Sequence, residues 1–237
     1  MSRIYGVVAT LGALASLQLN FGIVDLIDGL TGAFTDDTAW VLDVGWGALF
    51  GVLIPVALFA SLKTNAGAQQ LALVTISIAV AAIAGEAWRW LILVAVLVAI
   101  LALRPGRLAV VPRPGPWWPL AALAVIPCVV YAERAASAQR RHAPPSDSVS
   151  NGFHHWTALA ALALAVALLA FGGRLLVLSA AVAAALWAVA CLLHPNADGS
   201  EGRVWAVAVL IWAAAMVLTS IATARRADPT SSHHWSM

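Results

Sequence analysis

The chain has 237 residues, of which 62% are hydrophobic and only 10% charged. A typical soluble domain carries roughly 25% charged residues, so a soluble fold of this composition has too few polar groups to cover its surface. The net charge of +2, with no basic stripe and interleaved aromatics, argues against nucleic acid as a partner.

Apolar runs of about 18 or more residues read as membrane spans, and here they recur along the whole chain. Eight are predicted, over about 4–24, 39–62, 68–85, 87–104, 117–136, 154–171, 174–194 and 204–224. The expected fold class is all-α: a polytopic transmembrane helix bundle of eight spans. It would form one transmembrane domain over 1–226, followed by a disordered polar tail at 227–237.

At the start, Arg3, a short apolar run and Ala13-Leu14-Ala15 before Ser16 also fit a cleaved secretory signal. The apolar run continues to Val24, broken only by Gln18 and Asn20, which favours a retained first span. The loop after it is expected to hold Asp25, Asp28, Asp36 and Asp37, in an order that is not a calcium-binding EF-hand. Asp43 lies inside the second span, one turn past Trp40. A carboxylate facing hydrocarbon is expensive. Asp43 is therefore expected to face the bundle, against Asn20 or Gln18 of the first span.

Two reversals are tight. Gly85-Glu86-Ala87-Trp88-Arg89 turns the chain between the third and fourth spans, and Phe171-Gly172-Gly173-Arg174 between the sixth and seventh. Glycine is expected to supply the backbone freedom in both. The proline-rich stretch from Arg104 to Pro116 cannot be helical throughout and separates two halves, 1–104 and 117–226. The halves echo each other: Glu86 stands four residues before Trp90, and Glu201 four before Trp205. The echo fits a parallel duplication and equally the enrichment of Trp at interfaces.

Lys and Arg set the orientation. With the N-terminus and C-terminus cytoplasmic, eight cations lie inside (Arg3, Lys63, Arg104, Arg107, Arg113, Arg174, Arg225 and Arg226) and five outside. Ten of the eleven acids, all but Asp228, then fall on the outer side, as do His142, His154, His155 and His194. The expected location is the plasma membrane, with the polar face outside.

That face carries the candidate chemistry. Span five is expected to run on as a helix to about Arg141, ended by Pro144-Pro145, with a turn at Asn151-Gly152. His154, His155, His194, Asp147, Glu86 and Glu201 are the candidate catalytic residues, as acid/base groups or as ligands of a divalent metal. No HxxxH or HExxH spacing supports a metal, and the same residues equally suit a solvated interfacial rim. Arg89 and Arg203 are candidates for binding an anionic lipid headgroup, and Asp43 for a further binding role. Glu86 with Arg89, and Glu133 with Arg134 or Arg140, could instead form surface ion pairs. The glycines of Gly199-Ser200-Glu201-Gly202-Arg203 could open backbone N–H groups to an anion, or serve the turn alone. Within the spans, Thr75, Ser77, Ser179, Pro55 and Pro127 are the other residues of interest, and their scarcity argues against a translocating pore. Cys128 and Cys191 lie in separate apolar runs without CxxC spacing and read as inert hydrophobes.

Asp147…Asn151-Gly152…His155-Trp156, with Gly199-Ser200-x-Gly202-x-x-Trp205 before the last span, resembles a pattern in uncharacterised actinobacterial multi-spanning membrane proteins. The resemblance covers chiefly the second half. It implies an eight-span plasma-membrane protein and assigns no activity. Three functions remain open: outward-facing acid/base or metal-assisted chemistry or lipid binding; a non-enzymatic scaffold that binds another membrane protein; and a transporter.

Overall fold

A computed structural model describes residues 3–18, 22–32, 39–106, 108, 115–141 and 155–227. The described residues are helical, with no strands among them. The elements are α1 (Arg3–Gln18), α2 (Gly22–Thr31), α3 (Trp40–Ala48), a π-helical segment (Leu49–Leu53), α4 (Ile54–Ser61), α5 (Asn65–Ala84), α6 (Trp90–Ala102), α7 (Trp118–Arg140), α8 (His155–Leu169), α9 (Arg174–Leu193) and α10 (Gly202–Ala227). Six stretches are long and apolar enough to cross a membrane: Arg3–Thr31, Trp40–Ser61, Asn65–Ala84, Trp118–Arg140, Arg174–Leu193 and Gly202–Ala224. The predicted fourth and sixth spans form the shorter apolar helices α6 and α8.

Helix α8 is the hub. Ala and Leu fill it, and nearly every residue from His155 to Leu169 is buried against α3, α5, α7 and α9. Small side chains let helices approach closely when no hydrophobic force drives them together in lipid.

The first loop departs from expectation. Asp25 and Asp28 do not lie in an extended acidic loop but on α2, which packs antiparallel to α3. The reason is a glycine seam. A Cβ on Gly22 would come within 2.7 Å of Gly51 N, and one on Gly47 within 2.5 Å of Leu26 N. Backbone meets backbone there, and only glycine leaves room. Asp28 is buried at 4% exposure, whereas Asp25 is half-buried.

The π-helical segment also has a local cause. Its i→i+5 ladder closes with Ile54 N–H donating to Leu49 O. The next donor in that register would be the nitrogen of Pro55, which has no hydrogen. The Phe50 carbonyl thus left over accepts from Ser16 Oγ at 2.6 Å. Nearby, Gln70 Nε2 donates to Leu53 O at 3.0 Å, and Ser179 Oγ donates to Gln70 Oε1 at 2.9 Å. Gln70 is fully buried, and its amide ties α5 to α9 and to this segment. Thr75 and Ser77 bond only to carbonyls of their own helix.

The tight reversals use glycine differently from expectation. Glu86, not Gly85, takes the left-handed conformation (φ 57°), and neither Gly172 nor Gly173 has positive φ. Gly172 is needed for space, since a Cβ there would sit 2.6 Å from Leu176 Cβ. Helix α7 continues to Arg140, close to the predicted end, and includes Pro127.

Candidate functional site at one end of the bundle

Five cross-element contacts gather the same ends of six helices. Trp40 at the start of α3 stacks on His194 at the end of α9, with ring centroids 4.2 Å apart. Asp43 in the first turn of α3 meets His155 at the start of α8. Arg140 near the end of α7 donates to the Ala84 carbonyl at the end of α5. Tyr131 of α7 donates to the Gly199 carbonyl in the α9–α10 connection. Arg134 of α7 pairs with Glu201 at the start of α10, its Nη1 lying 3.0 Å from both carboxylate oxygens.

The most buried of these is Asp43–His155. Asp43 Oδ1 lies 3.4 Å from His155 Nδ1, and the residues are 6% and 4% exposed. This is ion-pair range, longer than the roughly 2.7–3.2 Å of an N–H···O hydrogen bond. Asp43 faces the bundle as expected. Among the described residues it meets His155 of α8, a partner the sequence does not suggest; Gln18 is exposed, and Asn20 lies outside the described residues. Because α3 begins here, its N-terminus sets partial positive charge beside the carboxylate. Aromatic rings close over the pair. Trp46 meets His155 edge-on at 5.3 Å and Trp90 at 5.4 Å, and stacks tilted on Phe50 at 4.5 Å. These rings hold the imidazole and keep bulk water off it. Trp46 and Trp90 escaped the sequence reading because interfacial Trp is common and says little alone.

The other candidates spread around the rim. His194 touches Trp40 rather than the Asp43–His155 pair, and its Nε2 is buried without a hydrogen-bond partner. Burial holds its pKa below the ordinary histidine value of 6.5. Glu86 and Arg89 are exposed, and the expected ion pair between them does not form, since the left-handed turn at Glu86 breaks the helical spacing it needs. Glu133 pairs with Arg140 at 3.4 Å instead of Arg134. Arg203 is exposed, with no ion pair among the described residues. Asp147 and His154 lie outside the described residues, as do Asp36, Asp37 and His142. Among the described residues no three His, Cys, Asp or Glu side chains converge as a metal site would require. The turn glycines Gly199 and Gly202 do have positive φ, but Gly202 N–H donates to Ser200 Oγ at 3.1 Å and so serves the turn.

Beside this rim lies a cavity of about 450 Å³ between α7, α8, α9 and α10. Its mouth is formed by Arg134, Glu201 and Tyr131, and its walls are almost wholly apolar. Trp187 Nε1 donates to Tyr131 Oη at 2.9 Å, which fixes that edge. Neither Asp43 nor His155 lines this cavity or the second one, between α5, α7 and α8.

No family model, curated protein or solved structure matches the chain. Function is therefore argued from the site.

Proposed function

We propose that the chain is an eight-pass protein of the plasma membrane, with both termini in the cytoplasm. Its working element is then the Asp43–His155 pair, acting as a proton-exchanging acid–base couple near the outer face. The observation that carries this reading is the 3.4 Å approach of two buried ionisable groups inside an apolar bundle. Ionisable residues within membrane bundles are costly and mark ion or proton pathways. Imidazole is the side chain whose charge changes most readily near neutral pH, and a carboxylate partner lets the proton be held by either group.

The topology rests on physical grounds. Helices α6 and α8 span about 20 Å and 22 Å at roughly 1.5 Å per residue, short of a hydrocarbon core about 30 Å thick. Hydrogen bonds from Trp90 N to Ala87 O and from Leu103 N to Ala99 O lengthen the helical path of α6. Helix α8 is jacketed by protein, where a non-helical turn such as the one after Leu169 is tolerated at membrane depth. The excess of cations on one side, eight against five, supports an outward-facing Asp43 end.

Infrared difference spectra across a pH series on the purified protein test the couple. A carboxyl band and an imidazole band should change together; Asp43→Asn should remove the carboxyl band and alter the imidazole band, and His155→Gln should remove the imidazole band and alter the carboxyl band. An imidazole signal that is unchanged in Asp43→Asn would defeat the reading. A second reading, a scaffold, is favoured by the aromatic seal over the pair. A buried ion pair that only ties α3 to α8 would show no titration between pH 4 and 9, roughly the range in which paired carboxyl and imidazole groups respond.

A further inference from the structure

The cavity beside α7 has the form of a window onto the bilayer. Ala124, Pro127, Cys128 and Tyr131 follow i, i+3, i+4, i+7 spacing and put one face of α7 toward it; Trp205, Ala208, Val209 and Trp212 do the same for α10. The two helices are tied at both ends of the opening. At one end is the Arg134–Glu201 ion pair. At the other, Trp212 Nε1 donates to Leu120 O at 2.8 Å. Between the ties, Leu159, Leu162 and Val166 of α8 line the cavity. The exposed Leu123 and Ile126 stand at its lateral edge.

The dimensions and charge identify an occupant. The ties are about 16 Å apart along α10 and about 21 Å along α7, at roughly 1.5 Å per residue. One leaflet of hydrocarbon is about 15 Å deep, half of a core about 30 Å thick. A volume of about 450 Å³ lies within the range of roughly 300–1,000 Å³ usual for small-molecule sites. An acyl chain of a bilayer lipid can thus lie along the window with its headgroup at the ion pair. The pair itself is neutral overall and offers one guanidinium and one carboxylate. Arg134 has a side-chain exposure of 62%, so its remaining N–H groups face solvent at the mouth. A phosphate suits the guanidinium, and an ammonium suits Glu201.

We propose that this window binds one acyl chain of a zwitterionic phospholipid of the phosphoethanolamine class, with its phosphate at Arg134 and its ammonium at Glu201. Trp205 and Trp187 flank the headgroup end, at the depth where indole rings favour the membrane interface. The inference goes beyond the acid–base reading, since the window and the Asp43–His155 pair share no residue.

The test is native mass spectrometry of the full chain released from nanodiscs that contain equal dioleoyl-phosphatidylethanolamine and dioleoyl-phosphatidylglycerol. The wild type should retain one phosphatidylethanolamine at least tenfold over phosphatidylglycerol. Ala208→Trp, which fills the window from an exposed position on α10, should lose that lipid. Glu201→Gln should shift retention toward phosphatidylglycerol, because it removes the carboxylate and leaves the cation. Should Ala208→Trp fail to fold, cross-linking of the wild type with a phosphatidylethanolamine carrying a photoreactive acyl chain decides the matter, with adducts expected on residues 123–131 or 205–212. Equal retention of both lipids, no retained lipid, or adducts confined to other helices would each overturn the proposal.

Discussion

Two flanks of this bundle are built from the same apolar residues and packed in opposite ways. Helices α2 and α3 approach until a single Cβ at Gly22 or Gly47 would strike backbone. Helices α7 and α10 are tied at Arg134–Glu201 and at Leu120–Trp212, and a cavity of about 450 Å³ lies beside them. The polar groups follow the packing. The closed flank seals Asp43 and His155 under Trp46, Phe50 and Trp90, whereas the open flank shows its ion pair to solvent. Burial decides what each pair is worth. An exposed pair is screened by water and contributes little. Removing one member of a buried pair strands the other charge where water cannot reach it.

The largest expected effect lies on the closed flank. Asp43→Ala leaves His155 buried without its carboxylate and should cost about 3–5 kcal/mol, read as a large fall in the thermal unfolding midpoint of the detergent-solubilised protein. An effect no greater than that of an exposed pair would erase the contrast between flanks. Next is the seam itself. Gly47→Ala forces α2 away from α3 and should cost about 1–3 kcal/mol, with increased proteolysis after α2 as a second readout. Gln70→Ala, which strands the Leu53 carbonyl and Ser179, belongs in the same range of about 1–3 kcal/mol. On the open flank, Arg134→Gln should change stability by at most about 1 kcal/mol, while a thermal shift on adding phosphatidylethanolamine, seen in the wild type, disappears.

The smallest effect is a pH dependence at His194. Its pKa is lowered on folding by burial, so the unfolded chain binds the proton more readily. The stability from packing neutral His194 on Trp40 is therefore complete above pH 6.5 and is lost as pH falls from there toward the lower folded value. His194→Gln should flatten the fall of the unfolding midpoint below pH 6.5. An unchanged slope would locate the pH dependence elsewhere.

Hydropathy made the apolar segments and their reversals legible, because a long run without charge has few alternatives to a helix in a bilayer. The end of α7 at Arg140 also came from local signals. The interior of the site did not. Asp43 was recognisable as a carboxylate that needed a reason, but its partner is set by how α3 packs on α8, which no local spacing encodes. Asp25 and Asp28 suggested a loop because acids usually mark one, and the glycine seam that makes α2 a packed helix is visible only with both strands of the seam in hand. The window is lined by ordinary Ala, Val, Leu and Trp residues, so the gap between its helices leaves no mark on the sequence. The echo between Glu86–Trp90 and Glu201–Trp205 shows the limit well. Trp90 is buried in the core behind an exposed Glu86, while Trp205 is exposed behind a Glu201 that pairs with Arg134. Equal spacing led to unlike environments.

The most direct test of the acid–base couple is nitrogen-15 magnetic resonance of the histidine side chains in the purified protein, with the His155 signal assigned by its loss in His155→Gln. Followed from pH 4 to pH 9, roughly the range open to a histidine with a charged neighbour, the His155 ring should titrate, and its midpoint should move in Asp43→Asn. A His155 signal that does not titrate, or one whose midpoint is the same with and without the Asp43 carboxylate, would contradict the account.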